Sequence, residues 1–251
     1  MNEPQIYGWL LVAWIAVALS VVPYLLLRPA SYGRHARPGW GRTVNARLAW
    51  VLMEAPSPLL MIAMFALGNR HANGVALMFL GLWLMHYLYR AFVYPWLLPT
   101  GARPMPVAVL ASGAFFNLVN GYINGRWLFS LSNPRPLSWL TSPRCVLGCA
   151  LFVVGLCTHV MADRSLRRLH SDGKYAVPRG PLFRLVSCPN YLGEMVEWSG
   201  WAIATWSPPG FVFVLWTAAN LVPRAIRHHR WYREKFADYP KERRAIVPFV
   251  L

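Results

Sequence analysis

Seven apolar runs, separated by polar and basic stretches, organise this chain. At about 20 residues per membrane crossing they fall at Ile6–Leu27, Leu48–Gly68, Val75–Val93, Val107–Ile123, Cys145–Ala162, Tyr191–Trp206 and Phe211–Pro223. Each is read as a membrane-spanning helix, which makes the fold all-α and polytopic with seven transmembrane helices. In the second run Pro56 and Pro58 follow Glu54 closely. Proline cannot donate to the helical ladder, so a kink or break is expected there. After the fifth run comes a long amphiphilic connection with a turn signal at Pro178–Arg179–Gly180. Past Pro223 the apolar pattern gives way to RAIRHHRWYREKFADYPKERR before an apolar end, AIVPFVL.

Composition agrees with the runs. The chain is 56% hydrophobic and 14% charged, with mean hydropathy +0.34, whereas soluble domains carry about 25% charged residues. No Lys or Arg precedes the first run. A cleavable signal would open on basic residues and have a shorter apolar core, so this run is expected to stay as a span. Cys145, Cys149, Cys157 and Cys188 form no CxxC pair, and no disulfide or metal is assigned to them.

The net charge of +16 would suit nucleic acid, but its distribution suits a membrane. With seven spans, all but four of the 25 Lys and Arg fall on one side; the exceptions are Arg70, Arg126, Arg135 and Arg144. By the positive-inside rule the C-terminus is expected in the cytoplasm and the N-terminus outside. Topology alone accounts for most of these cations, and no nucleic-acid partner is expected.

Ionisable groups at membrane depth are costly and point to a site. Glu54 lies beside the expected break and can face a cavity. His86, Tyr87, Tyr89, Arg90 and Tyr94 crowd the end of the third run. Tyr87, Arg90 and Tyr94 recur at roughly helical spacing and can share a face, although single tyrosines there also fit an interfacial aromatic belt. Asn190, Glu194 and Glu197 open the sixth run. The helix dipole explains one carboxylate in the first turns; two are expected to hold cationic or hydroxyl groups. The inventory describes a cytoplasmic-facing cofactor cavity with Glu54 and Tyr87 deep inside. Asp163, Arg167, Asn190, Glu194, Arg224, His228 and Tyr232 lie around its mouth. No GxGxxG, P-loop, HExxH or GxSxG motif is present.

The strings WVLMEAPSP (Trp50–Pro58), HYLYRAFVY (His86–Tyr94), PNYLGEMVEW (Pro189–Trp198), AIATWS (Ala202–Ser207) and the segment from Arg224 to Leu251 resemble the steroid 5α-reductase family in matching order. The resemblance implies one integral membrane reductase domain over residues 1–251. Residues 1–106 would supply substrate-side helices, and 107–251 most of the cofactor side. It implies NADPH as cofactor, with hydride delivered to C5 of a 3-oxo-Δ4 steroid and a proton to C4. It places Tyr87 and Glu54 at the substrate carbonyl. Tyr87 would donate a hydrogen bond; Glu54 would donate in its neutral form or orient the tyrosine. Met53, Glu54 and Tyr87 are the implied substrate contacts. Asp163, Arg167, Tyr175, Asn190, Glu194, Arg224, His228, Tyr232 and Tyr94 are the implied cofactor residues. No metal is implied. The chain departs from the family at Met53, where many members have glutamine, and at Ala176, where a basic residue follows the tyrosine.

The implied partners are a steroid or other enone lipid and membrane lipid, with a monomer expected in a bacterial inner membrane or the endoplasmic reticulum. Three rival classes differ from this chain in what they carry. A membrane methyltransferase using S-adenosylmethionine shares an Asn-Pro-x-Tyr-x-Gly-like motif, but typically carries paired glutamates where this chain has RHHRWYREK. A sterol C14 or C7 reductase expects more spans. A transporter expects an internal repeat, and none is seen.

Overall fold

The computed structural model describes residues 1–28, 39–99, 101–169 and 176–251. Tyr175 lies outside them. Among the described residues eight α-helices follow one another: α1 Glu3–Leu27, α2 Ala46–Glu54, α3 Pro56–Leu67, α4 Gly74–Leu88, α5 Val107–Arg126, α6 Pro143–Leu169, α7 Pro189–Thr205 and α8 Pro208–Lys235. The only sheet among the described residues pairs Thr43–Val44 with Met105–Pro106. The all-α, polytopic expectation therefore holds.

Among the described residues six segments are long and apolar enough to cross a membrane: Glu3–Leu27, Ala46–Leu67, Gly74–Leu97, Val107–Leu131, Pro143–Leu169 and Pro208–Lys235. The expected sixth span is the helix α7. Its 17 residues sit at the lower limit of the usual range of about 17–25.

The second span breaks where its prolines predict. α2 ends at Glu54, and Pro56 takes the first position of α3. Asn45 starts α2 by accepting from the Arg47 and Leu48 amides at 3.0 and 3.4 Å. The third span loosens at its end into a π-helical turn, Tyr89–Val93, and a 3-10 turn, Tyr94–Leu97, with Pro95 preventing a return to regular helix. Such π-turns often mark functional sites.

Packing divides the chain into two compact units, Met1–Val12 with Ala30–Val146, and Ala13–Pro29 with Leu147–Leu251. In the first unit α5 packs on α2 and α3, so it groups with the helices before it. Tyr7 OH donates to Ile123 O at 2.7 Å there, and Arg126 grips Glu3 with two bonds of 2.7 and 2.9 Å.

The second unit is built on a contact between α6 and α7 that only glycine allows. A Cβ at Gly193 would lie 2.6 Å from His159 N, and one at Gly155 would lie 2.3 Å from Glu197 N. Gly148 and Gly200 meet the opposite helix equally closely. The spacing is seven residues on each helix, so the small residues stack into one seam and let the backbones touch, as membrane helices do when packing rather than hydrophobicity joins them.

The helix α8 continues well past Pro223. Its 28 residues run about 42 Å against a hydrocarbon core of about 30 Å. The stretch from Arg224 to Lys235, expected as a polar segment after the span, is thus the helix's own extension.

The chain then folds back on residues 185–188. Arg244 N donates to Leu185 O, Ser187 N to Arg244 O and Cys188 N to Ala245 O, at 2.8–3.1 Å. Buried Ser187 is the hub of this closure. Its Oγ lies 2.6 Å from both His229 Nδ1 and Tyr239 OH, and donates to Arg244 O at 3.1 Å. Removing one partner of a buried hydrogen bond costs about 1–3 kcal/mol, so Ser187→Ala is expected to lower the melting temperature in detergent by several degrees. An unchanged value would mean that the apolar packing of Cys188, Ala225, Ala245 and Ile246 holds the tail by itself.

Candidate active site

The first unit holds a buried acid. Glu54, the last residue of α2, is 8% exposed. Its Oε1 lies 3.4 Å from Arg90 NH2, and its Oε2 accepts from Asn117 Nδ2 at 3.1 Å. The Arg90 guanidinium rests against two aromatic rings that themselves meet edge to face, its central carbon 4.7 Å from the Trp50 ring centre and 4.8 Å from that of Tyr94. Cation–π contact and the ion pair together fix the position of this arginine. Tyr94, expected beside a cofactor, is thus a wall of the Glu54–Arg90 cluster. Met53 lays its side chain on α5, against Gly113, and its carbonyl accepts from Asn117 Nδ2 at 2.8 Å.

Tyr87 sits one helical turn before Arg90 and is buried. Its ring is 5.1 Å from Trp83 and 4.8 Å from His86, centre to centre. These neighbours leave the phenol little rotational freedom.

The second unit brings together three of the expected cofactor residues and adds a fourth group. Asn190 Nδ2 donates to Asp163 Oδ1 at 3.0 Å. His159, 2% exposed, lies between two carboxylates, with Nε2 3.5 Å from Asp163 Oδ2 and Nδ1 3.4 Å from Glu194 Oε2. The glycine seam explains this meeting. Because α6 and α7 touch at Gly155 and Gly193, the side chains at 159, one turn past Gly155, and at 194, next to Gly193, are within reach.

A second group lies along α7 and α8. Tyr191 OH accepts from Arg224 Nε at 2.7 Å and is 3.1 Å from His228 Nε2. A single phenol therefore holds both the Arg224 guanidinium and the His228 imidazole. Tyr232, a turn further on, is buried and stacks on Tyr239 with ring centres 5.3 Å apart and planes 8° apart. Arg167 stands in the last turn of α6, half-buried, one turn beyond Asp163. Glu197, expected to hold a polar group, is fully buried where α7 meets Gly155, so it belongs to the helix contact and Glu194 to the more open cluster.

Sequence reasoning missed His159, Asn117 and Tyr191 as site residues. His159 and Asn117 carried a readable signal, since each is a strongly polar side chain inside an apolar run. Tyr191 looked like part of a motif and showed no separate sign. Among the described residues, no group of three or more His, Cys, Asp or Glu is arranged to hold a metal ion.

The family described as 3-oxo-5-alpha-steroid 4-dehydrogenase matches residues 103–251. Similar curated proteins include a steroid 5-alpha-reductase DET2 of Gossypium hirsutum, 42% identical with 99% of each chain covered. A 3-oxo-5-alpha-steroid 4-dehydrogenase 1 of Bos taurus is 39% identical with 95% of each chain covered. The corresponding protein of Homo sapiens is 38% identical over 87% of this chain and 85% of its own.

Proposed function

The chain belongs to the 3-oxo-5-alpha-steroid 4-dehydrogenase family, and from that premise we propose that it reduces the Δ4 double bond of a 3-oxo-Δ4 steroid with NADPH. Hydride goes to C5 and a proton to C4, giving the 5α-dihydro product. The observation that carries this reading is a pair of buried polar clusters set in helices otherwise apolar enough to cross a membrane. One is an acid, a guanidinium and an amide at Glu54, Arg90 and Asn117; the other joins carboxylates, an amide and an imidazole at Asp163, Asn190, Glu194 and His159.

The donors of the second unit fit NADPH. With no parallel sheet among the described residues, the phosphates must be met by side chains. Arg224 and His228 supply charge for them, both steadied by Tyr191. Asp163, Asn190 and Glu194 suit ribose hydroxyls or a carboxamide, and Tyr232, buried against Tyr239, braces this end of α8. Arg167 adds a further cation near the α6 end. When bound, the cofactor supplies the hydride.

The first unit handles the enone. As hydride adds at the β-carbon, negative charge gathers on the carbonyl oxygen, and a hydrogen-bond donor placed there lowers the barrier. Tyr87 is that donor. Glu54 has donors facing both oxygens, an arrangement in which it accepts, so its role is to orient rather than to protonate. Met53 lines the steroid side. Water at the cytoplasmic mouth supplies the proton at C4. In this reading α7 also crosses the membrane, which puts the basic C-terminal end in the cytoplasm and the N-terminus opposite; the protein acts as a monomer.

The test is NADPH oxidation by detergent-purified protein given testosterone or progesterone, with the product identified by mass. A gain of two hydrogens with 5α stereochemistry is expected. NADPH binding without steroid turnover would move the search to other enone lipids. Binding of S-adenosylmethionine in place of NADPH would replace the reductase by a methyltransferase.

A further inference from the structure

The break between α2 and α3 creates a problem that one residue of α5 solves. The last carbonyls of any helix lack intrahelical donors. Here Pro56 and Pro58 also withhold two of the amides that would continue the ladder. In a membrane bundle no bulk water meets such a carbonyl, and leaving it unmet costs several kcal/mol. The prolines stand where Leu52 O and Glu54 O would find their donors, and Met53 O, the last-turn carbonyl of α2 between them, accepts from Asn117 Nδ2 at 2.8 Å. The same nitrogen donates to Glu54 Oε2 at 3.1 Å.

A primary amide nitrogen carries two protons. Both are therefore used, one on the broken backbone and one on the carboxylate. Both partners are acceptors, so the nitrogen rather than the oxygen of the amide must face them. Asn117 is 4% exposed, which leaves water little access to compete. With Arg90 on the other carboxylate oxygen, Glu54 is held between α5 and the turn that follows α4, and its plane cannot rotate without breaking a bond.

We propose that Asn117 is a positioning residue for this enzyme: it locks the Glu54 carboxylate to the helix break and so sets the orientation from which Glu54 acts. The inference rests on the reductase reading for its catalytic consequence. The hydrogen-bonded coupling itself stands whatever the substrate.

A double-mutant cycle tests it. Asn117→Leu is expected to lower kcat for a 3-oxo-Δ4 steroid about 10- to 100-fold, with KM for NADPH within about twofold of wild type. In a Glu54→Gln background the same change is expected to cost less than about threefold, because the group it positions is already altered. An equal loss in both backgrounds, or no loss in kcat, overturns the proposal, since a merely structural residue would act independently of Glu54. Should the leucine variant not fold, Asn117→Ser enters the same cycle; its hydroxyl is too short to serve both acceptors. Wild-type turnover tests the reductase reading separately. The cycle is also read in melting temperature, which needs no substrate. A double variant no less stable than the worse single variant supports the coupling, and strictly additive losses overturn it.

Discussion

Tyr87→Phe is expected to lower kcat about 100- to 1,000-fold, the usual effect of deleting one donor to a developing oxyanion, while the Kd for NADPH stays within about twofold. The phenol and the benzene ring fill the same space. Trp83 and His86, at 5.1 and 4.8 Å between ring centres, would hold phenylalanine as they hold tyrosine, so the fold should survive and the loss should report on chemistry. The enone needs the hydrogen bond most when charge has reached its oxygen. The interaction is therefore stronger in the transition state than in the bound substrate, and the loss falls on kcat rather than on KM. Single-turnover NADPH oxidation, with cofactor affinity measured in parallel, separates the two. Wild-type rates in the phenylalanine variant would remove Tyr87 from the carbonyl.

Gly193→Ala is expected to be severely damaging, although alanine is the better helix former. In the middle of a helix the exchange should stabilise by about 0.5–1 kcal/mol on propensity alone. At this position the added Cβ would stand 2.6 Å from His159 N and 2.8 Å from Gly155 O. Both are backbone atoms of α6 and cannot swing aside as a side-chain tip can. The helices must separate along a seam that Gly148, Gly155 and Gly200 also form, and overpacking of this kind costs about 1–3 kcal/mol or more. The steric term outweighs the propensity term. Separation also pulls Glu194 from His159 and Asn190 from Asp163, contacts of 3.4 and 3.0 Å. NADPH affinity is therefore expected to fall at least tenfold together with the melting temperature. An alanine variant as stable as wild type, with normal cofactor binding, would mean that α6 and α7 do not make this contact.

The two expectations probe different units and differ in what they spare. The tyrosine variant keeps stability and cofactor affinity and loses rate. The glycine variant loses all three. Observing the reverse pattern would reassign the work of the two clusters.

Much of the frame was legible along the chain. The helix break followed from Pro56 and Pro58, since a missing amide donor acts at its own position and on the preceding turn. Glu54 stood out because a carboxylate in an apolar run is expensive wherever it points. Asn190 and Glu194 stood out at the start of an apolar helix and Asp163 among the polar groups expected at the cavity mouth; in the structure Asn190 bonds Asp163, and His159 lies between Asp163 and Glu194. What stayed illegible was the identity of partners. That Tyr94 lays its ring on the Arg90 guanidinium is a contact its helical spacing allowed but did not name. Asn117 passed unnoticed, because its role depends on a carbonyl freed in a different helix. The helical extension of α8 through Lys235 was hidden by a change in polarity, which marks where lipid would end and not where hydrogen bonding does.

The sequence by itself determined the apolar runs, the place where one of them breaks, the polar groups too costly to lie in lipid, and the uneven spread of basic residues among the connections. Each of these depends on the chemistry of neighbours within a few turns. Only the tertiary structure decided which faces touch: the glycine seam of α6 and α7, the imidazole of His159 between two carboxylates, the amide of Asn117 on both Met53 and Glu54, and the tail fastened at Ser187. Those choices follow from backbone approach and donor–acceptor complementarity between segments far apart in the chain. Shape and reach in space decide them, and periodicity along a single helix encodes neither.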